Sequence, residues 1–108
     1  MSVQFGLQSF LRTVTTAGTR VAVSASGLYA AQVALRAPAG NSGVIFVGGS
    51  DVSSANGWSL AAGDTLSYGD LRNGEMSQQV NMSLIWIDAS VNGEGIQVIY
   101  SKQSTVAD

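Results

Sequence analysis

The stretch YAAQVALRAPAGNSGVIFVGG, residues 29–49, decides the fold. Tyr29, Ala31, Val33 and Leu35 fall on one face, with Gln32 and Arg36 opposite, the period of two that a strand imposes on its side chains. Pro38 and the run Ala39-Gly40-Asn41-Ser42-Gly43 end that strand and open the next. Val44 and Phe46 then oppose Ile45 and Val47, so this short run reads as a strand buried on both faces. Gly48-Gly49 reads as a bend or bulge where two backbones approach. A helix competes for Ala25 to Ala37, which holds Ala and Leu. Ser26-Gly27 interrupts its front, and Tyr29 and Val33 favour the strand.

Working outward, the same period recurs. Val3, Phe5 and Leu7 alternate with Gln4, Gly6 and Gln8, Val21 and Val23 with Ala22, and Leu66 and Tyr68 with Thr65 and Ser67. Val80, Met82, Leu84 and Trp86 form an apolar face whose reverse starts polar at Asn81 and Ser83 and turns apolar at Ile85 and Ile87. Ile96, Val98 and Tyr100 close the series. Asn56-Gly57, Asn73-Gly74 and Asn92-Gly93 are hairpin dipeptides, in which both residues tolerate positive φ. The expectation is an all-β chain, an antiparallel β-sandwich, jelly-roll-like or Ig-like, of about seven to nine short strands. Residues 1–11 are expected to form an N-terminal arm that orders against a partner, and residues 12–108 the sandwich domain.

Composition narrows the function. The chain has 108 residues, a net charge of −2 and 11% charged residues, against roughly a quarter in an average domain. Such a surface suits a subunit packed against neighbours better than a free monomer. The absence of Cys and His removes disulfides, thiolate and imidazole metal sites, Cys nucleophiles and Ser-His-Asp triads. Five scattered cations argue against a nucleic-acid footprint. No run of about 18 apolar residues is present to span a membrane as a helix. The start MSVQFGLQSFLRTV lacks the basic and apolar regions of a signal peptide, so synthesis and folding in the cytoplasm are expected.

Groups that carry chemistry are sparse. The seven carboxylates Asp51, Asp64, Asp70, Glu75, Asp88, Glu94 and Asp108 fall at expected turns or strand ends, with no spacing that sets two of them about 5–10 Å apart as glycoside hydrolysis requires. Asp51-Val52-Ser53 falls short of a calcium loop. GVIFVGGS, residues 43–50, lacks the glycine spacing and the Gly-Lys-Ser/Thr of a phosphate cradle. Asn81-Met82-Ser83 matches a glycosylation sequon but sits in an expected strand of a chain without a signal peptide. No catalytic residue, metal or cofactor is expected. Trp86 reads as core, and Trp58, after a turn, as an interface anchor or a sugar-stacking platform.

Residues 28–102 carry a resemblance. A strand leads to an Asn-x-Gly turn (Asn41, Gly43), then an apolar strand ends in Val47-Gly48, followed by Ser50-Asp51-Val52. Asn56-Gly57, Leu60-x-x-Gly63-Asp64 and two closing strands, MSLIWIDAS and GIQVIYSK, complete the pattern. It resembles small virion proteins of tailed bacteriophages, of the capsid decoration (cement) type, with Ala61-Ala62 standing where such proteins often have Pro. The resemblance implies a protein of the capsid surface whose partners are the major capsid protein and further copies of itself, as a homotrimer. The chain's end at Asp108, without fibre repeats, points to decoration rather than a fibre. The competing expectation is a carbohydrate- or receptor-binding module of a tail, a fibre or the capsid exterior. The interface candidates are Val3, Phe5, Leu7, Phe10, Trp58, Ile85 and Ile87.

Overall fold

A computed structural model describes residues 2–24, 28–30, 32–69 and 80–106, the side chains of 2–6, 68, 69 and 102–106 excepted. Its strands are β1 (Ser2–Thr13), β2 (Val21–Ala22), β3 (Tyr29–Ala30), β4 (Gln32–Arg36), β5 (Ile45–Gly48), β6 (Trp58–Leu60), β7 (Thr65–Gly69), β8 (Val80–Asn81), β9 (Trp86–Ala89) and β10 (Gly95–Val106). A 3-10 turn, Met82–Leu84, leads into β9. No helix among the described residues is long and apolar enough to cross a membrane.

The pairings are nested. β1 pairs with β10, β2 with β9, β3 with β8, β4 with β7 and β5 with β6, all antiparallel. The chain is therefore one antiparallel ribbon whose tip is the loop 49–57. Two further pairings, β10 with β4 and β9 with β5, fold this ribbon into two sheets ordered β1-β10-β4-β7 and β2-β9-β5-β6, with β3-β8 as a short bridge. This is an antiparallel sandwich with the strand order of a jelly roll.

Alternation along each strand places the core. Val33, Leu35, Val98 and Tyr100 of the first sheet meet Ile45, Val47, Ile87 and Ala89 of the second, all buried, and Val14, Val23, Met82 and Ile96 fill the ends. Burying side chains of this size contributes roughly 1.5–3 kcal/mol each.

Three local expectations are corrected. Tyr29 is 48% exposed while Ala30 is buried, so the face read through Tyr29, Val33 and Leu35 changes phase between β3 and β4. In the same way the 3-10 turn interrupts the alternation after Met82. Leu84 is exposed there, and Ile85 and Ile87 take over the core face. Trp86, read as core, consequently sits half-buried on the outer face of the second sheet, which it shares with the half-buried Phe46 of β5. Gly57 is absent from the positive-φ glycines among the described residues, which are Gly18, Gly63 and Gly93. It is small for another reason, since a Cβ there would lie 2.6 Å from Phe46 Cβ and 3.0 Å from the Ser53 carbonyl oxygen.

Loops lock the two ends of the sandwich. At the tip, Ser53 N donates to Asn56 Oδ1 (2.7 Å) and Asn56 Nδ2 to the Asp51 carbonyl (3.1 Å). Val52 is buried there, outside the main core cluster, and a Cβ on Gly48 would meet its Cγ2 at 2.9 Å. At the other end the β9–β10 loop joins three segments. Gly93 N donates to Val14 O and Val14 N to Glu94 O, each at 2.9 Å. Asn41 Nδ2 donates to Gly95 O at 3.1 Å. The Glu94 carboxylate accepts from Ser42 N (2.6 Å), Ser42 Oγ (2.9 Å) and Gly43 N (2.9 Å). The backbone donors of Ser42 and Gly43 hold the Glu94 carboxyl below its ordinary value.

Two outcomes are expected. Gly95 faces Thr13, and a Cβ there would run into the Arg12 carbonyl and lie 2.8 Å from Thr13 Cα. Gly95→Ala should cost about 1–3 kcal/mol in chemical denaturation, and an unchanged midpoint would contradict the close approach. Because the Glu94 pKa is lower in the folded state, its stabilisation is complete above the ordinary carboxylate value and is lost as pH falls through the depressed one. Glu94→Gln should therefore flatten the acid limb of stability against pH. The same slope in both proteins would contradict it.

Candidate functional site

The two sheets treat their outer faces differently. On the second sheet the outer row Asp88-Phe46-Ser59 is covered by the chain itself. Asp88 is buried, and its Oδ1 accepts from Gly18 N (2.9 Å) and Ala89 N (2.7 Å). Arg20 Nε ties the same cover to Ser50 O at 2.5 Å, and the tip loop lies against Phe46 through Gly57.

The outer face of the first sheet carries no such cover among the described residues. Its register sets three rows across the strands: Leu7-Ser101-Gln32-Gly69, Ser9-Ile99-Ala34-Ser67 and Leu11-Gln97-Arg36-Thr65. Leu7 is 72% exposed, Leu11 60% and Ile99 44%. Arg36 is the one charged side chain in these rows. Two shallow grooves of about 430 and 340 Å³ run along the face, the first beside Leu11, Arg36 and Gln97 and the second beside Leu7, Gln32 and Ser67. Small hydroxyl side chains between isolated large apolar ones make a shallowly grooved, nearly uncharged surface. Its chemistry is that of packing and hydrogen bonding rather than of proton or group transfer.

The residues singled out from the sequence separate into three groups. Leu7 lies on this open face, in β1. Phe10 lies on the opposite side of β1, half-buried, with its ring edge-on to Tyr100 at 6.0 Å. The Tyr100 hydroxyl in turn donates to Gln8 Oε1 at 2.6 Å. Ile85 and Ile87 belong to the core, so their apolar character serves packing. Trp58 is 70% exposed on β6, the edge strand of the second sheet at the end away from β2. The backbone of Val3 and Phe5 lies in β1 opposite Thr105 and Gln103, and their side chains fall outside the described residues. β1 begins within the segment expected as an arm and continues to Thr13.

Leu11 and Ile99 were not legible as surface residues, although Ile99 leaves a trace. It is the apolar residue on the polar side of the Ile96-Val98-Tyr100 alternation.

Ile87→Ala should cost about 2–5 kcal/mol in unfolding, whereas Trp58→Ala should stay within about 0.5 kcal/mol of the parent. Denaturant titration of both variants checks the assignment, and the reverse order would contradict it. No protein-family model, no curated protein and no solved structure matches the chain.

Proposed function

We propose that the chain is a structural interaction protein that binds the outer surface of an assembled phage capsid and stabilises it as a decoration protein. Two things support this reading. The motifs between residues 28 and 102 resemble those of such proteins. The single observation that carries the structural side is the open, nearly uncharged outer face of the β1-β10-β4-β7 sheet, with Leu7, Leu11 and Ile99 exposed on it. Copies of the chain would associate, because a small domain gains stability from every contact made only in the folded, assembled state. A decoration protein strengthens a particle by binding the finished lattice better than its free subunits, and its repeated sites add avidity to a weak single contact.

A second reading, recognition of a carbohydrate or receptor, has one observation in its favour. The Trp58 indole is exposed, and such a ring can stack on a sugar face.

Particles lacking the protein should assemble with normal shape and break at lower temperature. Adding the purified chain should restore resistance, and Ile99→Lys should weaken its binding at least tenfold, about 1.4 kcal/mol, without shifting its own melting midpoint. Failure of the chain to bind mature particles would contradict the decoration reading. Glycan-array binding abolished by Trp58→Ala would favour the second.

A further inference from the structure

The first sheet has a second unusual feature, its β1 edge. β1 is twelve residues long, while the other edge strands are short: β7 has five residues, β6 three and β2 two. Among the described residues β1 is bonded along one side only, to β10. Edge strands of this length are ordinarily blunted by charge, proline or a bulge. Here residues 2–11 contain no charged residue and no proline, and the β1–β10 register runs without a bulge from Ser2↔Val106 to Thr13↔Gly95. The strand's one charge, Arg12, turns away to donate from Nε to the Ala22 carbonyl at 2.8 Å, so it does not guard the edge. Beyond Ser101 the ladder also outruns β4, whose pairing spans Gln97 to Ser101. Residues 2–6 and 102–106 continue as a two-stranded ribbon, a form marginal in water by itself.

We propose that the β1 edge binds the β1 edge of a second copy of this chain, antiparallel across a two-fold axis at Ser9. An edge that offers only backbone groups and apolar side chains is complementary to itself, and an antiparallel two-fold pairing repeats each contact twice. The register follows from exposure. Among the described side chains of β1, Leu7 and Leu11 are the large exposed apolar ones, they share the outer face, and Ser9 lies midway between them. A two-fold at Ser9 sets Leu7 of each copy opposite Leu11 of the other, an apolar cross-strand pair made twice. The product is a continuous eight-stranded sheet whose outer face is doubled. This contact joins two copies, where the phage resemblance implies three, and it rests on the strand edge rather than on the capsid reading.

The chain contains no Cys, so a single introduced thiol reports the geometry. Light scattering of the full chain should give twice 11.1 kDa, and mild oxidation of Ser9→Cys should link the two copies, Cα atoms of facing antiparallel residues being close enough for a disulfide. Thr65→Cys, on the far edge strand, should stay unlinked. Leu11→Lys should weaken the dimer at least tenfold, with a melting midpoint equal to the parent's at dilutions where both are monomeric. The double variant Leu7→Glu with Leu11→Lys should restore it, since this register alone sets the two introduced charges opposite each other. A monomer or a trimer in solution would overturn the proposal. So would a dimer in which Ser9→Cys does not cross-link or the double variant does not recover.

Discussion

The fold depends on the twelve-residue ladder between β1 and β10, which joins the two ends of the chain. β10 is paired on both sides, with β1 along its whole length and with β4 from Gln97 to Ser101. Without it β1 has no neighbour and the first sheet keeps only the β4–β7 pair. The remaining strands nest inside this outermost pairing. Sequence separation is therefore greatest where the ladder is longest, a topology expected to fold slowly because loop closure precedes the contacts that offset it. Gly95 and the Glu94 loop sit at the ladder's inner end. There the chain needs a residue without a Cβ and a carboxylate to gather the donors of Ser42 and Gly43.

Much of this architecture was legible because alternation and turn dipeptides are local. Val33-x-Leu35 and Val98-x-Tyr100 read as strands with one core face, and the structure buries these residues, whereas Val44 to Val47, read as buried on both faces, buries only Ile45 and Val47. Errors arose where a short element shifts the phase. The 3-10 turn at Met82–Leu84 moves Ile85 and Ile87 into the core and turns Leu84 out, and the alternation of residues 80–87 marks it only by a reverse face that turns apolar at Ile85. Gly57 shows a second limit. An Asn-Gly pair signals a positive-φ turn, whereas here the glycine makes room for Phe46. The nesting of the strands, and with it the pairing of residues far apart in sequence, has no local signature. The open face was illegible for the same reason, since Leu7, Ile99 and Arg36 come together only through cross-strand register.

The two sheet faces show how a charge-poor chain distributes its exposed surface. One face is closed by segments of the chain itself, through Gly18 on Asp88 and the tip loop over Phe46. The other carries no such cover among the described residues, and its boundary strand is the long unguarded one. Face and edge belong to the same element, so a partner on the face and a second copy on the edge would both order β1. On the proposed reading the low charge would have a physical use, because burying Ser, Ala and Leu against a partner avoids the desolvation penalty of buried Lys or Glu.

The most direct test of the β1–β10 ladder as the contact that holds the fold closed is residue-resolved hydrogen exchange on the free chain at low concentration. The account predicts that the β1 amides bonded to β10 and the β10 amides from Gln97 to Ser101 open together with the core amides of β5 and β9. Their opening constants should agree within about tenfold, as a single global unfolding unit requires. Exchange of those β1 amides several orders of magnitude faster, with β4, β5 and β9 still protected, would contradict it and make the ladder an accessory to the sandwich.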